Sequence, residues 1–254
     1  MNKVQRLCHH SGRFDDKDVI SGFKTVARSC TLATHTELAN NARAAKMKAA
    51  AKEAGWGFYQ DNRHGYDDLA FTWDQDAWKR LDTASKKLSE IPTWSTEGEP
   101  RAPFCAVAMH LEALNDHTHW AVITMHTPSH VAIWDKWRPS SSRTRQYQDG
   151  MKTMATWVRQ LRNQWRGSRL ILAADWNAPM EQPWFRSYLE KTMPAQWKVM
   201  AANDQLPNYP DTHDNRCIDW AMVGPKVRKR AKAVARKVPD SDHKALFYQV
   251  SRVD

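Results

Sequence analysis

Apolar runs that read as β-strands close, again and again in this sequence, on a group able to hold a metal ion or carry a proton. Glu37 closes "LATHTEL", His126 stands in "VITMHTP", and Asp175 and Asn177 leave "LILAADWNA" with a single residue between them. Asp219 sits inside "CIDWAMV", and Asp242 and His243 immediately precede "KALFYQVS". Carboxylate oxygens are the ligands that a hard divalent cation prefers. Imidazole is the side chain that gains and loses protons near neutrality. One acid at a strand end is ordinarily a cap or a turn residue. The order and context of the whole set are what point to chemistry, and the chemistry they suit is metal-assisted attack on a phosphate.

In that order the motifs resemble the endonuclease/exonuclease/phosphatase superfamily. "LATHTEL" matches its strand closing on a metal-binding glutamate, and "VITMHTP" its histidine-bearing strand. "LILAADWNA" stands where the family has a strand ending in Asp-Phe-Asn. "CIDWAMV" matches its Ile-Asp-Tyr/Trp strand and "DSDHKALF" its terminal Ser-Asp-His. The resemblance covers roughly residues 30–247.

A phosphodiester is anionic and resists hydroxide, so its cleavage needs charge neutralisation, an activated water and help for the leaving oxygen. The resemblance implies that Glu37, with Asp242, holds Mg²⁺ or Mn²⁺. It implies that Asp175 polarises or deprotonates the attacking water and that Asn177 donates to a non-bridging phosphate oxygen. His243 would stabilise the phosphate or pass it a proton, with Asp219 holding its imidazole in the protonated form. His126 resembles the histidine that assists the leaving group, and Asp68 of "YDDLAF" is the carboxylate that could brace it. Family members usually open with a strand ending in an asparagine. Here that strand reads "KVQRLCHH", and His9 or His10 would take the place, which would favour a softer ion such as Mn²⁺.

These groups need elements to carry them. Val19, Ile20, Phe23 and Val26 have helical spacing over residues 18–29, and residues 40–55 form an Ala/Lys-rich helix ending at Gly55. Residues 68–74 read as a strand and 76–91 as mixed. Residues 102–114 and 119–130 form a hairpin around "NDHT". Met151, Met154, Trp157, Val158 and Leu161 mark a helix within residues 140–167. Hairpins interleaved with strand–helix–strand passages predict one domain over residues 1–254. Its expected form is a four-layer α/β sandwich, two packed mixed β-sheets flanked by helices.

The chain has 38 Lys+Arg against 28 Asp+Glu, a net charge of +10, and 13 Trp. A basic surface suits a polyanion, because neutralised phosphates release counterions. Most of the excess lies in "PKVRKRAKAVARKVPD", which contains Lys226, Arg228, Lys229 and Arg230. This segment falls between the strands of Asp219 and His243, and is expected at the site rim as a phosphate-tracking arm, joined by Arg138, Arg143 and Arg145. Trp134, Trp137 and Trp176 are candidates to stack on bases, although core packing is the commoner fate of Trp. His110, His117, His119 and His130 lack the cysteine or H-E-x-x-H partners of a zinc site.

No apolar run approaches the ~20 residues that span a bilayer. The N-terminus has no continuous apolar segment of signal-peptide type. The four scattered cysteines read as reduced thiols, and the expected location is cytoplasmic. The function expected is a divalent-metal-dependent phosphodiesterase, a nuclease with DNA ahead of RNA. A phosphatase or phospholipase of the same fold and a non-catalytic nucleic-acid-binding module are the alternatives.

Overall fold

The computed structural model describes residues 4–12, 18–38, 41–64, 68–92, 103–133, 136–137, 141–178, 180–195, 197–199, 212–213, 217–229, 233–239 and 241–252. Strands β1 (Gln5–Ser11), β2 (Leu32–Thr36), β3 (Trp56–Gln60), β4 (Ala70–Asp74), β13 (Val227–Lys229), β14 (Val234–Lys237) and β15 (Lys244–Arg252) form one sheet. Its order is β13-β15-β1-β2-β4-β3, with β14 also on β15. Strands β5 (Trp78–Lys87), β6 (Cys105–Ala113), β7 (Thr118–Met125), β10 (Arg169–Asp175), β11 (Lys198–Val199) and β12 (Asp219–Val223) form the other, in the order β11-β12-β10-β7-β6-β5. Each sheet is mixed: β1 runs parallel to β2 and β10 parallel to β7, the remaining pairings being antiparallel. A short ribbon pairs β8 (Ala132–Ile133) with β9 (Lys136–Trp137).

Period-two alternation sorts the first sheet's side chains into two cores. Leu7, Leu32, Phe71, Leu246 and Tyr248 turn towards the second sheet and join its core. Cys8, Ala33, Ala70, Ala245 and Phe247 turn the other way, under α1 (Val19–Ala27) and α2 (Asn41–Glu53), whose Phe23, Val26, Met47 and Ala51 cover them. Helix α3 (Ser142–Gln164) lays Met151, Met154, Trp157, Val158 and Leu161 on the core of the second sheet, beside Phe185 and Leu189 of α4 (Pro183–Thr192). Gly150 lets α3 close on Phe104, because a Cβ there would overlap the ring. The order of layers is therefore helices, sheet, sheet, helices, as the sequence predicts.

Residues 76–91, read as mixed, contain the ten-residue strand β5. It is an edge strand with half of its positions exposed, and Lys79, Arg80, Asp82, Lys86 and Lys87 keep its free side hydrophilic. That polarity hides its strand character from a search for apolar alternation. The four cysteines are buried and unbridged. Among the described residues, no helix is long and apolar enough to cross a membrane.

Candidate active site

The parallel pairs set one common end. Ser11 pairs with Thr36 at the tips of β1 and β2, and His126, just past β7, bridges Asp175, the last residue of β10. The two sheets bring these tips together. Ser11 Oγ stands 3.4 Å from Asp175 Oδ2, and His9 Nε2 stands 3.5 Å from Asp219 Oδ1.

Asp175 is almost wholly buried and occupies the middle of the cluster. Its Oδ1 accepts the backbone N–H of Asn177 (2.9 Å). Its Oδ2 faces His126 Nε2 at 3.7 Å and His243 Nδ1 at 3.9 Å. Glu37 Oε1 lies 3.7 Å from His126 Nε2. Two trios of metal-type ligand atoms, each within 4.8 Å, share Asp175: Glu37–His126–Asp175 and Asp175–Asp219–His243. Glu37 and Asn177 both hold left-handed backbone, φ 61° and 45°. For residues other than glycine this conformation costs energy and collects at functional sites. Asn177 Nδ2 donates to the Thr127 carbonyl (3.0 Å), which leaves its second hydrogen available.

Each imidazole has its own carboxylate. His126 Nδ1 lies 2.7 Å from Asp68 Oδ2, and His243 Nδ1 lies 2.8 Å from Asp219 Oδ2. Burial alone would lower the pKa of His126, but Asp68, followed by Asp175 and Glu37, overrides it and lifts the group to about 10. Burial opposes protonation of His243 in the same way, and Asp219, with Asp175 and Glu37 behind it, carries that group to about 10 as well. For Asp219 burial pushes upward, yet His243 and His9 hold the carboxyl well below the usual carboxylate range. Asp175 moves up, through burial and then the nearby negative Asp219. Glu37 is pushed up to about 7, chiefly by burial; His126 and His243 oppose the rise, and Asp175 and Asp68 add to it.

These residues fit a cation. Acids gathered in a buried space, one of them lifted close to neutrality by desolvation, are relieved by a bound positive charge. The oxygens of Glu37 and Asp175 are the ligand type a hard divalent ion takes.

Other expected residues stand outside the two trios. Asp242 is exposed, and its carboxylate is in neither trio. His10 turns to the opposite face of β1, where its Nδ1 meets His35 Nδ1 at 3.3 Å. His9 faces the site but is engaged by Thr34 Oγ1 (2.8 Å) and Asp219. Neither imidazole belongs to a trio, so the softer-ion argument built on them loses its basis. Trp176 is fully buried and donates to the Trp220 carbonyl, so it cannot stack on a base. Trp137 packs against Tyr147, Trp184, Phe185 and Tyr188.

The basic segment does not follow the expected rim. Asp219 pairs with Asp175 at the site end, but Val223 pairs with Ile171, and Gly224 bonds the Leu170 carbonyl at the far end. Lys226 therefore begins the segment away from the site, and only its end returns, where Lys237 pairs with Lys244 beside His243. Arg228 and Lys229 lie in β13, opposite Ser251 and Val250. Arg230, Arg138 and Trp134 fall outside the described residues. Arg143 remains near the site, donating to the backbone oxygen and hydroxyl of Ser129 (3.3 and 3.2 Å), while Arg145 is exposed.

Sequence reasoning missed His213, whose ring lies 4.4 Å from that of His243, and Thr127, which anchors Asn177. His213 falls in a stretch of sequence with no periodicity to mark it, and Thr127 acts through its carbonyl, which any residue would supply.

Neither a family model nor a curated protein matches the chain by sequence. Solved structures match its fold. An endonuclease/exonuclease/phosphatase family protein from Bacteroides thetaiotaomicron superposes with a TM-score of 0.72 at 12% identity, over 99% of this chain and 98% of that one. TDP2 from D. rerio, complexed with a single-strand DNA product, gives 0.70 at 11% identity, over 98% and 99%. A mannosyl-6-phosphatase from Bacteroides thetaiotaomicron gives 0.70 at 13% identity, over 98% and 100%. The chain thus has the endonuclease/exonuclease/phosphatase fold, with its acids and imidazoles gathered where the two sheets' strand ends meet.

Proposed function

We propose that this chain is a divalent-cation-dependent phosphodiesterase, a nuclease acting on DNA ahead of RNA. The observation that carries the reading is the convergence of Glu37, His126, Asp175, Asp219 and His243 on a buried space reached from both sheets. Glu37, beside Asp175, would hold Mg²⁺ or Mn²⁺. When bound, that ion would neutralise charge on the phosphate.

Asp175, its affinity for a proton raised, is suited to accept one from the attacking water. The water oxygen bonds to phosphorus as the bond to the leaving oxygen breaks. His126 has Nδ1 engaged by Asp68 and Nε2 turned towards the site, so it can give that leaving oxygen its proton. An imidazolium has no lone pair to offer, which makes this histidine an acid beside the cation rather than its ligand. His243, kept positive by Asp219, would pair with a phosphate oxygen, and the spare hydrogen of Asn177 Nδ2 would bond another. Arg143 and Arg145, near the start of α3, with Lys226, Arg228, Lys229 and Arg230, are the proposed contacts to the nucleic-acid backbone.

The substrate-class test offers supercoiled DNA, RNA, a phosphoinositide and a sugar phosphate in parallel, each with Mg²⁺, Mn²⁺ or EDTA. DNA cleaved fastest, and only with a divalent ion, is the expected result. Turnover confined to the phosphomonoesters would replace the nuclease reading with a phosphatase one.

A further inference from the structure

Arg145, Lys152, Arg159 and Arg166 recur every seven residues along α3 and the turn after it, and all four are exposed, as is Arg162. Seven residues are close to two helical turns, so these cations share one face. The helix contains one acid, Asp149, whose Oδ2 accepts a hydrogen bond from Ser89 (2.6 Å). Among the described residues, none of the five cations has a carboxylate at ion-pair distance.

Helix α3 starts near the candidate site, where Arg143 grips Ser129 three residues beyond His126, and descends to Trp165, where the chain turns into β10 at the opposite end. There Arg159 and Arg162 line a small cleft with Lys226, Trp197 and Leu170. Part of the basic segment that the sequence assigns to the rim thus meets the end of α3. Among the described residues the large exposed hydrophobics are Val4, Ile20, Leu81, Leu114 and Val234, none of them on this helix, so the stripe has no apolar anchor there for a lipid interior.

We propose that the exposed face of α3 is a docking track for a nucleic-acid backbone, running from the candidate site to the Arg159–Arg162–Lys226 cleft. The choice of nucleic acid among polyanions rests on the nuclease reading. At a rise of about 1.5 Å per residue the 23-residue helix spans roughly 34 Å, the length of about ten base pairs. Contacts to phosphate alone make the track indifferent to sequence and sensitive to salt.

The test compares the wild type with Lys152→Gln/Arg159→Gln/Arg162→Gln/Arg166→Gln, glutamine being chosen because it keeps helix propensity. Binding to duplexes of about 30 and about 6 base pairs is read by fluorescence anisotropy in EDTA, with Tm as the check on folding. The long duplex is expected to bind the variant at least ~30-fold more weakly, with the slope of log K against log salt reduced by about 3 to 4. The short duplex should change by less than about threefold, since its roughly 20 Å, seated at the candidate site, falls short of Arg162 and Arg166. Unchanged affinity for the long duplex, an equal loss on both lengths, or no wild-type binding would each overturn the track. So would a loss confined to phosphatidylserine vesicles. Should the fourfold variant not fold, Arg159→Gln/Arg162→Gln is read in the same way, with about half the loss in slope. Because binding is read without turnover, a chain that binds by length but never cleaves counts against the nuclease reading alone.

Discussion

His126 Nδ1 lies 2.7 Å from Asp68 Oδ2, a bond that joins a residue past the tip of β7 to one just before β4, in the other sheet. The carboxylate fixes the ring with Nε2 towards Glu37 and Asp175 and keeps it positively charged. Asp68→Asn preserves shape but removes that charge. Turnover should fall by about 10²–10⁴-fold, and the alkaline limb of the pH–rate profile should move to lower pH. An unmoved limb would mean that His126 is not the proton donor.

In the cation-free protein, stability should fall as pH rises. His126 and His243, at about 10 when folded against an ordinary 6.5, contribute stability that is complete below about pH 6.5 and lost by about pH 10. Glu37, at about 7 against 4.5, adds a loss of the same sign between those two values. Asp219 moves downward and adds the opposite limb, a loss on acidification below about pH 4. His35 and His110, held below the ordinary imidazole range chiefly by burial, oppose this below about pH 6.5, so Tm measured in EDTA should decline from about pH 7 to pH 10. A flat or rising curve would contradict the charge arrangement.

Glu37→Gln removes a largely buried charge that His126 and His243 do not fully offset. In EDTA near pH 8 the variant should be more stable by about 1–3 kcal/mol, or a few degrees in Tm. Mg²⁺ should stabilise the wild type and leave the variant unmoved. A variant that still gains stability from Mg²⁺ would place the ion elsewhere.

The strand ends were legible in the sequence because each pairs an apolar run with an abrupt polar stop. Glu37, His126 and Asp175 follow that pattern, Asp219 and His243 stand at the start of theirs, and the strands β2, β7, β10, β12 and β15 fall close to the predicted spans. Edges and inter-sheet contacts were not legible. Strand β5 is polar because it borders solvent, and β3 and α4 are too short for periodicity to separate them from loops. The path of the basic segment depends on β12 running away from the site, a direction set by its pairing with β10 and invisible along the chain. Which of His9 and His10 faces the site is a matter of strand parity, settled once Leu7 points into the shared core.

His9 stands on the Asp219 oxygen opposite His243, its ring also held by Thr34. His9→Leu would leave Asp219 Oδ1 against an apolar surface, at a cost of about 1–3 kcal/mol. Asn at this position, shorter but still a donor, should recover part of the loss. Thermal denaturation of both variants reads the difference; equal stability in wild type, Leu and Asn variants would remove His9 as a support of Asp219.

The account stands or falls on Asp175 and a divalent ion acting together on a phosphodiester. The most direct measurement is relaxation of supercoiled plasmid by purified wild type and by Asp175→Asn, each in Mg²⁺ and in EDTA, with folding confirmed by circular dichroism. Wild type in Mg²⁺ should nick the plasmid, EDTA should abolish the activity, and the folded variant should be slower by about 10³-fold or more. Equal nicking by both proteins, or by wild type in EDTA, would contradict it.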